Sequence, residues 1–252
     1  MTLCKQLFKK DNHLNKTELT RLLNRYHTYP QRMIIQTFNE VNLPEYTGEV
    51  EVDPKDHIVR DFLPSAEAVI DSGGLVLMTP TAPWAPGNEF DFNEIMFRTL
   101  AKNVSRSELL KNFGLSVHSY IRFPGDDLWP RTIALYKMAT RILGVELPLY
   151  ITEAGLHQDI NSNFPPELVA RETVNLLNTP IPGSLQPHLK ALFLWILGTW
   201  AYTPKAYQDK NLPTWRENAG FEKAALRKVE GTTETFHQIE KMSQQSLALQ
   251  RK

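Results

Sequence analysis

The chain has 252 residues, 42% hydrophobic and 22% charged, which is enough for one full-sized domain and too few for two comfortable ones. Lysine plus arginine (28) balances aspartate plus glutamate (28), so no field of either sign points to nucleic acid or an anionic membrane surface, and a neutral substrate fits better. Cys4 is the only cysteine, which excludes an intrachain disulfide and a multi-thiolate metal site.

The opening MTLCKQLFKKDNHLNK has no apolar h-region and no small-residue cleavage site. No signal peptide is therefore read, and a cytoplasmic location is the default. Residues 17–26 (TELTRLLNRY) predict a helix, with Thr17 as N-cap and Leu19, Leu22 and Leu23 on one face. Short apolar runs predict buried strands over 32–38 (RMIIQTF), 74–80 (GLVLMTP), 114–120 (GLSVHSY), 147–152 (LPLYIT) and 191–197 (ALFLWIL). Helical patterns lie between and after them over 62–72, 90–103, 132–144 and 166–178. The apolar stretch 191–202 is too short to span a bilayer, so a soluble protein is expected. From Phe221 the sequence turns polar and predicts a helical extension over 221–252, with Gly231 separating two helices.

Strand and helix thus alternate with a rhythm of roughly 40 residues, the mark of successive βα units on a parallel sheet. Nearly continuous apolar strands are what a sheet covered on both faces requires. A doubly wound open sheet would alternate in the same way, but no GxGxxG or Walker pattern follows the early strands. In parallel α/β folds the chemistry sits at the carboxyl ends of strands. Asn39 and Glu40 follow the first strand, and Glu153 follows the fourth. Cleaving a glycosidic bond takes two such carboxyl groups, one to protonate the leaving oxygen and one to attack the anomeric carbon. The ordinary alternative for either glutamate alone is a solvated loop residue.

The surrounding residues carry a resemblance. FNEVNLPEY (38–46) resembles the end of the fourth strand of clan A glycoside hydrolases, where an Asn-Glu pair supplies a sugar-binding amide and the general acid/base. LPLYITEAG (147–155) resembles their seventh strand, whose glutamate is the nucleophile. VHSY (117–120) is similar to the His-x-Tyr of the sixth strand in the cellulase-like family 5, and ALFLW (191–195) to the eighth strand with its sugar-platform tryptophan. The resemblance covers about residues 30 to 200. Val41 stands where many members have proline.

The resemblance implies a (β/α)8 TIM-barrel domain over 1–220, followed by the extension. Five strands are legible where a closed barrel takes eight, so a partial barrel lacking its first three βα units is expected. Its open edge beside 32–38 would favour a homo-oligomer, or a missing N-terminal half as partner. The implied activity is retaining hydrolysis of a β-linked glycan. Glu40 would be the acid/base and Glu153 the nucleophile, while Asn39 would bind the sugar 2-hydroxyl. Tyr120 would orient Glu153, with His118 on the same side of its strand. Trp195 is the first candidate for a sugar platform, with Trp200 in reserve and Trp84 lining the cleft; Trp129 and Trp215 are read as packing residues. No metal or other cofactor is expected, since no HExxH-like spacing occurs, and no GxSxG elbow suggests a serine hydrolase. The alternative reading is a catalytically inactive, truncated glycosidase-like protein that binds carbohydrate or a protein partner.

Overall fold

Among the described residues, five strands form one parallel α/β sheet in simple chain order: β1 (Ile34–Gln36), β2 (Leu75–Leu77), β3 (Phe113–Ile121), β4 (Leu149–Leu156) and β5 (Leu189–Leu194). The structure is a computed structural model that describes residues 33–43, 52–83, 89–156 and 165–194, together with 17, 21, 227–228, 231–232 and 238. β1 runs parallel to β2 with Ile34 opposite Leu75, and β2 runs parallel to β3 with Leu77 opposite Gly114. All five strands overlap their predicted positions, and the sheet order is that of successive βα units. The helix predicted over 17–26 lies outside the described residues except for Thr17 and Arg21, both helical.

The helix before β2 starts earlier than its apolar pattern suggested. Asp53 caps α1 (Pro54–Asp56), its carboxylate accepting from Lys55 N–H at 2.7 Å, with Pro54 preset for the first turn. A π-wound stretch, His57–Phe62, then leads into α2 (Leu63–Asp71). Beyond β2 come α3 (Glu89–Asn103) and α4 (Arg106–Asn112), the latter absent from the sequence reading although Ser105 and Glu108 mark its start. α5 (Trp129–Leu143) joins β3 to β4, and α6 (Pro166–Asn178) joins β4 to β5.

Contacts divide the chain into two compact units. One comprises residues 1–118, 130–152 and 183–191; the other comprises 119–129, 153–182 and 192–252. In the first, Phe62, Leu77, Phe97, Phe113, Leu115, Leu149 and Ile151 are fully buried. Gly114 sits there in a close approach. A Cβ at this position would lie 2.9 Å from both a Leu77 methyl and the Tyr150 ring, so only glycine lets those side chains meet over β3. In the second unit, α6 buries Val169, Ala170, Thr173 and Leu176, the spacing of one helical face, while Leu177 points outward.

In the stretch expected to be helical after Phe221, β6 (Arg227–Lys228) pairs antiparallel with β7 (Gly231–Thr232). Gly231 and the β-branched Thr232 suit an extended turn-and-return better than a helix break. No helix among the described residues is long and apolar enough to cross a membrane.

Candidate active site

In the first unit the site is built around Glu40, just past β1. Its backbone adopts a left-handed conformation (φ 45°), an uncommon state for a residue with a Cβ. Such a conformation costs roughly 1–2 kcal/mol and persists only where neighbours impose it. Here they do. Glu40 N–H donates to Pro80 O at 3.0 Å, and Glu40 O accepts from Leu43 N–H at 2.9 Å. Two residues on, Asn42 grips Ala82, Nδ2 donating to its carbonyl and Oδ1 accepting from its N–H. The loop after β1 is thereby bolted to the loop after β2.

The Glu40 side chain is turned inward, with the residue only 8% exposed. Its Oε1 lies 2.7 Å from Nδ1 of the fully buried His118 on β3, within hydrogen-bond distance. Asn39, half-buried beside it, accepts at Oδ1 from Gln36 Nε2 at 2.9 Å. Gln36 in turn accepts from the Ser116 hydroxyl at 3.1 Å, and Ser116 Oγ meets Thr152 Oγ1 at 2.7 Å. A polar ladder thus crosses β1, β3 and β4 and ends on Asn39, the residue before Glu40. His57, buried on the π-wound stretch, bonds Thr79 Oγ1 at 3.0 Å and sets its ring edge-on to Phe38, 4.9 Å between centroids.

A buried ion pair lies behind His118. Arg131, near the start of α5, donates through Nε and Nη2 to the Glu89 carboxylate and through Nη1 to the His118 carbonyl. Glu89 also accepts from Thr81 Oγ1 at 3.1 Å, and Asn93 Nδ2 donates to the same hydroxyl at 2.7 Å.

In the second unit, Tyr120 O–H donates to Oε2 of Glu153, both residues being half-buried. Glu153 lies within β4 rather than beyond its end, because that strand continues to Leu156. After β3, Phe123-Pro124-Gly125-Asp126 forms a tight turn: Asp126 N–H donates to Phe123 O at 3.0 Å, and Gly125 takes φ 86°. The Asp126 carboxylate accepts from Phe123 N–H at 3.0 Å, and the Glu172 carboxylate accepts from Gly125 N–H at 3.3 Å. Phe123, 58% exposed with the Arg122 guanidinium 5.3 Å from its ring centre, is an aromatic face on a fixed turn.

Sequence reasoning named Glu40, His118, Tyr120 and Glu153, and each has a hydrogen-bonded partner within that set, Glu40 with His118 and Tyr120 with Glu153. Trp84, Trp195, Trp200 and Trp215 lie outside the described residues. Trp129 is buried, as a packing residue should be. Asn42, the Gln36–Ser116–Thr152 ladder and the Arg131–Glu89 pair went unread. Polar residues inside apolar strands were the available signal for the ladder.

The comparisons with known proteins agree with this architecture. A GH128 subgroup II endo-β-1,3-glucanase from Pseudomonas viridiflava superposes with a TM-score of 0.52 at 14% identity, over 90% of this chain and 75% of that one. The corresponding enzyme from Sorangium cellulosum gives 0.50 at 15% identity, over 75% and 68%. No protein-family model and no curated protein sequence matches the chain. The fold is the one these two structures have, α/β of the TIM-barrel type, with five parallel strands among the described residues.

Proposed function

We propose that the protein is a retaining hydrolase of β-linked glycans, working by double displacement with Glu40 as acid/base and Glu153 as nucleophile. One observation carries this reading: alternate residues of a single strand, His118 and Tyr120 of β3, bond the two glutamates, one each. Side chains two apart on a strand share a face, as double displacement by this pair requires. Retention asks for a separation of about 5–5.5 Å. In the first step Glu153 attacks the anomeric carbon while Glu40 protonates the departing oxygen. In the second, water attacks the anomeric carbon while Glu40 takes its proton, which breaks the bond to Glu153 and frees the sugar. Tyr120 fixes the attacking carboxylate, and Asn39, its amide oxygen held by Gln36, meets the sugar 2-hydroxyl through Nδ2.

The activity of the structural neighbours makes β-1,3-glucan oligosaccharides the first substrates to try, beside aryl β-glycosides. In the purified chain, Glu153→Gln should abolish turnover. Added azide should partly rescue Glu40→Ala on substrates with good leaving groups, because azide attacks the glycosyl-enzyme without needing a general base. Unchanged activity in either variant would mean that other residues do the work. The five strands seen among the described residues, short of a closed barrel, favour a second reading, a glycosidase-like protein that binds carbohydrate or a protein partner. Oligosaccharide binding with no hydrolysis would select it.

A further inference from the structure

We infer that Arg131 is a positioning residue for the Glu40–His118 pair; the inference rests on reading that pair as the acid/base end of the site. β2 spans three residues and β3 nine, registered at Leu77 and Gly114. Four residues past that register, the His118 carbonyl takes a hydrogen bond from a side chain, Nη1 of Arg131. The guanidinium suits this task because its fork has donors to spare. Two nitrogens hold Glu89 and the third holds His118. Its charge is met by a carboxylate more buried than itself, with side-chain exposures of 15% for Arg131 and 7% for Glu89. Thr81 Oγ1, just past β2, donates to that carboxylate, and Asn93 Nδ2 holds the Thr81 hydroxyl and the Glu89 carbonyl.

The consequence is a chain of fixed parts. Thr81 and Asn93 hold Glu89, Glu89 aims Arg131, Arg131 sets the His118 backbone, and His118 sets the Glu40 carboxyl group. None of Thr81, Asn93, Glu89 and Arg131 needs to touch substrate. Lysine at 131 would keep the charge but replace a planar fork by one ammonium, unable to hold Glu89 bidentately and His118 together.

The test reads His118 directly by proton–nitrogen NMR of the full-length chain. The imidazole Nδ1–H bonded to Glu40 should give a downfield signal protected from water, lost in Glu40→Ala, which assigns it. Arg131→Met should speed its exchange with water by about tenfold or more, and Arg131→Lys by a smaller factor. If Arg131 only supports the fold, both variants lose thermal stability while the signal keeps its position and exchange rate, and the inference is overturned. Should Arg131→Met not fold, Arg131→Lys and Glu89→Gln carry the same comparison. The signal needs no turnover, so a chain that hydrolyses nothing still decides the role of Arg131 separately from the proposed activity. In an active preparation, Arg131→Lys should lower kcat with little change in KM.

Discussion

Asn42 holds Ala82 by both of its backbone polar groups, with the carboxamide accepting at 2.8 Å and donating at 3.1 Å. The side chain imitates a strand partner, and it does so two residues after the left-handed Glu40. Asn42→Ala removes both bonds and leaves the Ala82 groups to find water. A stability loss of about 1–3 kcal/mol is expected, measurable by urea unfolding. Asn42→Asp keeps the acceptor alone and should fall between. A loss under about 0.5 kcal/mol would show that the loop is held by other contacts.

The Glu40 backbone offers a cleaner experiment. At most positions alanine is at least as stabilising as glycine, because glycine loses more chain entropy on folding. At φ 45° the order should reverse. Glu40→Ala and Glu40→Gly both leave His118 without its carboxylate, so their difference isolates the backbone. Glu40→Gly should be the more stable of the two by about 1 kcal/mol. Alanine proving equal or better would mean that Glu40 leaves the left-handed region in solution.

Gly114 tests the packing beneath the site. A methyl group there would press on Leu77 and Tyr150 at 2.9 Å. Gly114→Ala should cost about 1–3 kcal/mol through overpacking, and Gly114→Ala combined with Leu77→Val should recover part of it. No recovery would point away from the Leu77 contact.

Tyr136 gives the fold an alkaline limit. Burial first, and then the Glu146 carboxylate, push its phenol up to about 12. An unfolded tyrosine ionises near 10. The folded state therefore holds this proton more tightly. The stability it contributes is fully present below about pH 10 and is lost as pH rises through about 12. Tyr136→Phe should flatten the alkaline decline in melting temperature. It should also cost about 1 kcal/mol at neutral pH for the bond to Leu147 O. An unchanged alkaline slope would assign the decline to other groups.

The strands were legible because apolar runs such as LPLYIT can hardly be anything but buried β-structure beside helices of clear period. Boundaries were not, and for local reasons. Asp53-Pro54 was a readable helix start, but the π-wound turn after it breaks the 3.6-residue rhythm, which hid the first two turns. Glu40, His118, Tyr120 and Glu153 were named by motif. Arg131 and Glu89 were not, because their partners are distant in sequence. Arg131 and Glu89 look like ordinary charges on helices until the fold brings the two helix starts together. The two-strand pairing at 227–232 was missed because an all-polar stretch offers no periodicity to read.

β3 also acts as a ruler. His118 and Tyr120 are spaced about 6.6 Å along it, at about 3.3 Å per residue, and each grips a different glutamate. Insert one residue just after Gly114 and both side chains swing through the sheet to the opposite face together. Insert two and the facing is restored, but both have travelled a full pleat downstream. His118 and Tyr120 therefore keep or lose their facing together, and a change in the length of this strand would reach both hydrogen bonds at once.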